Sequence, residues 1–198
     1  MVRIDSFDAA GGCWINPPDG ASVEGNTLRF TTQANTDFWR DTFYGFTRHS
    51  GHAFGFYVDG DFTLQVKVMA SFTHLYDQAG LFIQDDDRHW VKAGIEFNDE
   101  KPAIGCVVTR EQSDWSTGVF PGEPGVFWLR ATLANAALRI QYSTDGQTWP
   151  LLRLCHWPTH SRRFVGVMAC TPERAGLDVV FDGFSIGAPS GKPLHDLS

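Results

Sequence analysis

Cysteine is scarce in this chain and unpatterned. Cys13, Cys106, Cys155 and Cys170 are the only four among 198 residues; they form no CxxC pair and fit no zinc template. A disulfide framework is excluded as the source of stability, and reduced, mostly buried thiols in a cytoplasmic protein are the expectation. Long apolar runs are missing too. No stretch approaches the roughly 18 apolar residues of a membrane-spanning helix, and the N-terminal MVRIDSFDAAGG lacks the apolar centre of a signal peptide. Basic charge is in deficit, with 16 Lys and Arg against 23 Asp and Glu and a formal net charge of −7. Binding along a nucleic-acid backbone needs the opposite field, so neither nucleic acid nor membrane is expected as a partner. Arg162-Arg163, the one adjacent basic pair, reads as solvated surface.

Catalytic and metal signatures are equally thin. There is no GxSxG elbow and no phosphate-binding loop. His49 and His52 stand in a glycine-containing loop, and Pro158 between His156 and His160 breaks the helical register that a zinc pair on a helix needs. Asp85-Asp86-Asp87 lacks the spaced ligands of a calcium loop and reads as a solvated turn. Ser143-Thr144-Asp145-Gly146 likewise reads as a structural turn. No metal and no cofactor is expected. The E-x-D-x-E pattern by which many sandwich glucanases present carboxylates on one strand face is absent, since Glu96 and Asp99 point to opposite faces.

What is present is aromatic and strand-forming: 16 Phe, 7 Trp and 20 Gly, a composition of strands and turns. Alternation is cleanest at 62–70, where Phe62, Leu64, Val66 and Val68 share one face. Strands are also expected at 27–33, 53–58, 79–84, 90–97, 103–110, 126–133, 138–143, 164–170 and 178–186, with hairpin turns near Asn135 and at Asp145-Gly146. About eleven or twelve strands with no helix predict an all-β, antiparallel β-sandwich of jelly-roll type. One domain spanning 1–198 is expected, with an irregular arm at about 1–27 anchored by Trp14 and a solvated tail at about 187–198. The aromatic stretch 36–58 follows no single period and reads as a long ordered loop.

The candidate surface centres on 76–116. In 90–97 the strand period turns Val91, Ala93, Ile95 and Phe97 inward and Trp90, Lys92, Gly94 and Glu96 outward. Arg110 falls at the rim of an apolar face, where Asp114 or Glu96 is its natural partner, and Asp114 and Trp115 are placed in a loop. Trp39, Tyr44, Trp90 and Trp115 would supply stacking surface for a sugar ring. Asp37, His52, Gln78, Lys92, Glu96, Arg110 and Asp114 would supply hydrogen bonds and charge. Lys92 and Arg110 would suit an anionic sugar, and their replacement by alanine is expected to weaken binding while leaving the fold intact.

Several runs resemble one family: TDFWRDTFYGF (36–46), SGHAF (50–54), YDQAGLFI (76–83), WVKAGIEF (90–97), VVTREQSDWS (107–116) and FDGFSI (181–186). They are similar to the regulation-of-enolase protein family, a largely uncharacterised group, over about Trp14 to Ile186. The resemblance implies a concanavalin A-like lectin/glucanase sandwich and, by analogy of fold alone, carbohydrate binding or hydrolysis. Three readings follow. The first is a non-catalytic binding module for a carbohydrate or sugar-derived metabolite, including an anionic one. The second is a glycoside hydrolase, lyase or isomerase using Glu96, with Asp114 as its second carboxylate. The third is a protein-interaction module regulating carbohydrate metabolism, with a protein partner and a flat apolar face.

Overall fold

The computed structural model describes residues 3–158 and 162–198; His160 of the pair considered above lies outside the described residues. Among the described residues sixteen strands, numbered in chain order, form two seven-stranded sheets and one two-stranded hairpin. The first sheet has the order β1 (Cys13–Ile15), β6 (His52–Val58), β15 (Arg163–Cys170), β8 (Gln78–Asp86), β9 (His89–Asn98), β10 (Lys101–Arg110) and β11 (Gln112–Val119). The second has the order β14 (Leu151–His156), β13 (Ala137–Ser143), β12 (Val126–Ala134), β7 (Phe62–Ala70), β16 (Asp178–Gly187), β3 (Thr27–Thr31) and β2 (Ala21–Glu24). Every ladder between strands is antiparallel.

The two sheets pack face to face through one alternating set of side chains. Leu64, Val66 and Val68 of β7 and Phe127, Leu129 and Ala131 of β12 meet Leu81 and Ile83 of β8 and Val91, Ala93 and Ile95 of β9 in a single buried cluster. That is the packing expected when each strand has one apolar face. The hairpin between β12 and β13 turns on Asn135 and Ala136, both at positive φ (54° and 59°), as a tight two-residue connection requires.

The first sheet is buried on its other face as well. Strands β4 (Phe38–Arg40) and β5 (Thr47–His49) form a hairpin that lies over it. Phe38 and Trp39 pack with Ala53, Phe82, Trp90, Val107, Phe164, Met168 and Cys170 in a second cluster. This explains why 36–58 shows no single period: the hairpin packs flat on a sheet instead of joining one. It also explains the near-continuous burial along β8 and β15. Two cross-strand glycine pairs bring backbones together under this cover. A Cβ at Gly80 would stand 1.9 Å from the Ala93 carbonyl oxygen, and one at Gly166 would stand 2.1 Å from that of Phe54. Their partners across the ladders are Gly94 and Gly55.

Other expectations change. The arm at 1–27 contains β1 and β2, each closing a sheet edge. The loop expected at Ser113–Ser116 is edge strand β11; its polar residues face solvent on an edge, which imitates a loop in sequence. The tail at 187–198 is mostly exposed and is tied down as well. Arg139 donates to the carbonyls of Lys192 and Pro193 (3.3 and 2.8 Å), and the Trp149 amide donates to Leu197 O at 2.8 Å.

Candidate functional site

Strand alternation carries Trp90, Lys92, Gly94 and Glu96 to the outer face of the first sheet, under the β4–β5 hairpin. Register sets their neighbours: Gln78 lies opposite Glu96, and Val107 stands between Lys92 and Trp115. Lys92, 3 % exposed, is buried here. Its Nζ donates to Asp37 Oδ1 at 3.1 Å and to Gln78 Oε1 at 2.7 Å. Asp37 is fixed in turn. Its Oδ1 accepts from the Phe38 amide at 2.8 Å, and its carbonyl accepts from Ser50 N and Gly51 N. A lysine in this setting is a structural member of a buried ion pair, which corrects the expectation of an exposed, freely replaceable charge.

Beside this group lies a cavity of about 170 Å³. Asp37, Gln78, Lys92 and Glu96 line it together with the rings of Trp39, Tyr44, Phe46, Tyr76 and Trp115; Arg48, Pro172 and Glu173 complete the lining. Trp39 and Trp115 meet edge to face at 6.4 Å, and the Trp39 indole donates to Thr42 O at 3.0 Å. Tyr44 and Tyr76 join hydroxyls at 3.2 Å. The Pro172–Glu173 segment is held by Arg174, whose Nε and Nη2 grip the fully buried Asp77 at 2.8 and 2.6 Å.

The electrostatics follow from burial. Burial raises the Glu96 carboxyl, Lys92 partly offsets it, and the pKa stands at about 7. For Lys92, burial alone would lower the ammonium, but the Asp37 carboxylate and the neighbouring Glu96 outweigh it and the pKa is raised. The hydrogen bond with Tyr44, then burial, pushes Tyr76 up to about 12. The site therefore holds one buried ion pair and, beside it, a carboxyl whose pKa is raised to about 7.

Seven of the residues singled out in the sequence meet at this cavity: Asp37, Trp39, Tyr44, Gln78, Lys92, Glu96 and Trp115. Four stand elsewhere. Trp90 is fully buried beside the stacked rings of Phe38 and Phe82, so its ring is core and has no face for a ligand. His52 bridges Gln33 N (3.1 Å) and Asn16 O (2.7 Å), a clamp on the N-terminal segment. Arg110 lies over the Trp157 ring at 5.4 Å. Asp114 pairs with Arg153 at 3.3 Å. Through its partner Val108 it sits on the opposite face of the sheet from Glu96, so the Glu96–Asp114 pair expected of a hydrolase is not assembled. Phe46, Arg48, Tyr76, Pro172 and Glu173 were not singled out. For Tyr76 a signal exists, since it stands two residues before β8; for Pro172 and Glu173 none does, because they arrive from a distant loop.

The sequence profile of a family described as a protein of unknown function (DUF1349) matches residues 14–189. Over all 198 residues, the full length of both chains, the sequence is 49% identical to "Regulation of enolase protein 1" of Saccharomyces cerevisiae. The chain belongs to the regulation-of-enolase family. A solved structure from that organism, described as functionally unknown, superposes with TM-score 0.90 at 49% identity, covering 92% of this chain and 98% of the other. The family fold is shared more widely. Lectin I-B4 from Griffonia simplicifolia superposes with TM-score 0.59 at 14% identity, covering 94% and 99% of the two chains. A GH43 protein from Bacillus licheniformis gives 0.67 at 18% identity, over 92% of this chain and 38% of its own. At those identities the likeness establishes the lectin/glucanase-type sandwich and nothing about ligands.

Proposed function

We propose that this family member binds a small carbohydrate or sugar-derived metabolite, one ring of which enters the cavity between β9 and the hairpin that covers the first sheet. The observation that carries the reading is the pairing of a buried polar floor with aromatic walls. Lys92 has three ammonium donors, of which Asp37 and Gln78 take two. Asp37, Gln78 and Glu96 add acceptors around it. A sugar ring offers hydroxyls that both donate and accept, and C–H faces that suit Trp39 and Trp115. About 170 Å³ is below the roughly 300–1,000 Å³ of drug-sized pockets and fits a single ring. Charge favours a neutral sugar over an anionic one: the lining has Asp37, Glu96 and Glu173 against Arg48 and Lys92, and Lys92 is already paired.

A thermal-shift and calorimetric panel of neutral sugars, sugar acids and sugar phosphates tests this, because a ligand that binds only the native state raises the melting temperature. Neutral sugars are expected to give the largest shifts, and Trp115→Ala to abolish them. A panel in which no sugar stabilises the protein refutes the reading. The relative from Saccharomyces cerevisiae is named for regulation of enolase; a sugar-responsive regulator with a protein partner would join that name to this cavity.

One observation favours a second reading. A carboxyl near 7 at Glu96 is poised for acid–base chemistry. In that reading Glu96 takes a proton from the hydroxyl-bearing carbon beside a sugar carbonyl and returns it to the former carbonyl carbon, the proton of that hydroxyl passes to the former carbonyl oxygen, and Lys92 stabilises the enediolate oxygen between the two transfers. Deuterium uptake from D2O into aldoses and ketoses, followed by NMR and lost in Glu96→Gln, would support it; the absence of uptake with the wild type excludes it for those sugars.

A further inference from the structure

The tip of the β4–β5 hairpin carries an aromatic ring that the fold does not use. Phe43 is 95% exposed. Its backbone is strained, at φ 63°, and the Tyr44 amide donates to Thr42 O at 2.7 Å, closing a γ-turn with a positive central φ. The turn before it is alike: Asp41 stands at φ 61° and the Thr42 amide donates to Arg40 O at 2.7 Å. Such turns are rare, and positive φ is disfavoured for a bulky side chain. Glycine would occupy the position without steric cost, as Gly45 does two residues on at φ 68°. The tip is nonetheless tied down, by Asp41 N to Phe46 O (2.8 Å), Gly45 N to Asp41 O (2.7 Å) and the Trp39 indole to Thr42 O. A large apolar side chain is thus presented to water from a tied-down, strained backbone, the combination that marks a functional position.

Its location says what the ring serves. Phe43 meets Tyr44 edge to face at 5.2 Å, Tyr44 stacks with Phe46 at 5.6 Å, and Tyr44 and Phe46 line the cavity. The aromatic surface therefore runs without interruption from the cavity wall out to Phe43. We infer that Phe43 is the platform of a second subsite, and that the ligand is a carbohydrate of at least two rings, one in the cavity and the next stacked on Phe43. This rests on the cavity reading above and narrows it from a single sugar to a disaccharide or longer glycoside.

Calorimetric titration of the intact chain with glucose, xylose and galactose against cellobiose, xylobiose and lactose tests it. At least one disaccharide is expected to bind about two- to tenfold more tightly than its monosaccharide, the range of a single aromatic contact. Phe43→Ala and Phe43→Gly should both remove that gain and leave the monosaccharide affinity unchanged. Phe43→Gly should melt no lower than the wild type, since it relieves the strain. Monosaccharide binding with no gain for any disaccharide overturns the inference and leaves the cavity reading standing, as does a gain that survives both substitutions. A marked loss of melting temperature in Phe43→Gly would assign the ring a structural role and likewise overturn it. Absence of binding by either class overturns both.

Discussion

Lys92 joins stability to the candidate site. Its ammonium and the Asp37 carboxylate are 4 % and 11 % exposed and 3.1 Å apart, so removing one leaves the other charged, buried and unpaired. Lys92→Ala is expected to cost about 3–5 kcal/mol, and the Asp37→Ala, Lys92→Ala double variant clearly less than the sum of the singles; urea unfolding of the four proteins measures both. Glu96 predicts a pH effect of the opposite kind. Its folded pKa of about 7 lies above the ordinary 4.5, so the folded state holds the proton more tightly than the unfolded chain does. That contribution is fully present below the unfolded value and is lost as pH rises to about 7. Glu96→Gln should flatten the fall in stability across this window; an unchanged slope would show that the carboxyl is not so perturbed.

Strands β8 and β9 illustrate which elements were readable. The period-2 pattern of 90–97 places Val91, Ala93 and Ile95 in the core, as observed, because a single-residue slip would turn every side chain to the wrong face. It also turns Trp90 outward correctly, yet that face is covered, and no local pattern reveals a cover supplied by residues 38–39. Edge strand β11 resembles a loop in sequence for the converse reason: it is polar and short of buried residues. The glycine pair between β8 and β9 has a sharp consequence. Gly80→Ala drives a methyl into the Ala93 carbonyl, so neither backbone can yield without breaking the ladder. A loss of about 3 kcal/mol or more is expected, at or beyond the upper end for overpacking. Gly118→Ala on β11, with open space around it, should change stability by about 0.5 kcal/mol or less. Denaturation midpoints of the two variants make the comparison, and equal losses would contradict it.

For the whole molecule, composition and alternation were enough for the fold class. Antiparallel sheets with one apolar face each have few ways to hide it other than against one another, and the motifs of 36–46, 76–97 and 107–116 were enough for the family. The assembly of the cavity was not legible in the same way. Asp37 and Lys92 are separated by 55 positions and Arg174 and Asp77 by 97, and such pairs exist only because β15, β8 and β9 are neighbours and a hairpin folds across them. The same limit explains Arg110 and Asp114. Each was assigned a nearby partner in sequence, whereas the sheets bring Trp157 to one and Arg153 to the other. It explains the tail, where buried Arg139 and the Trp149 backbone bind segment 192–197. Period 2 is a property of the backbone, so the sequence alone determined which side chains share a face. Which faces are covered twice, and which charges meet beneath the cover, depends on contacts between distant segments, and only the tertiary structure decided that.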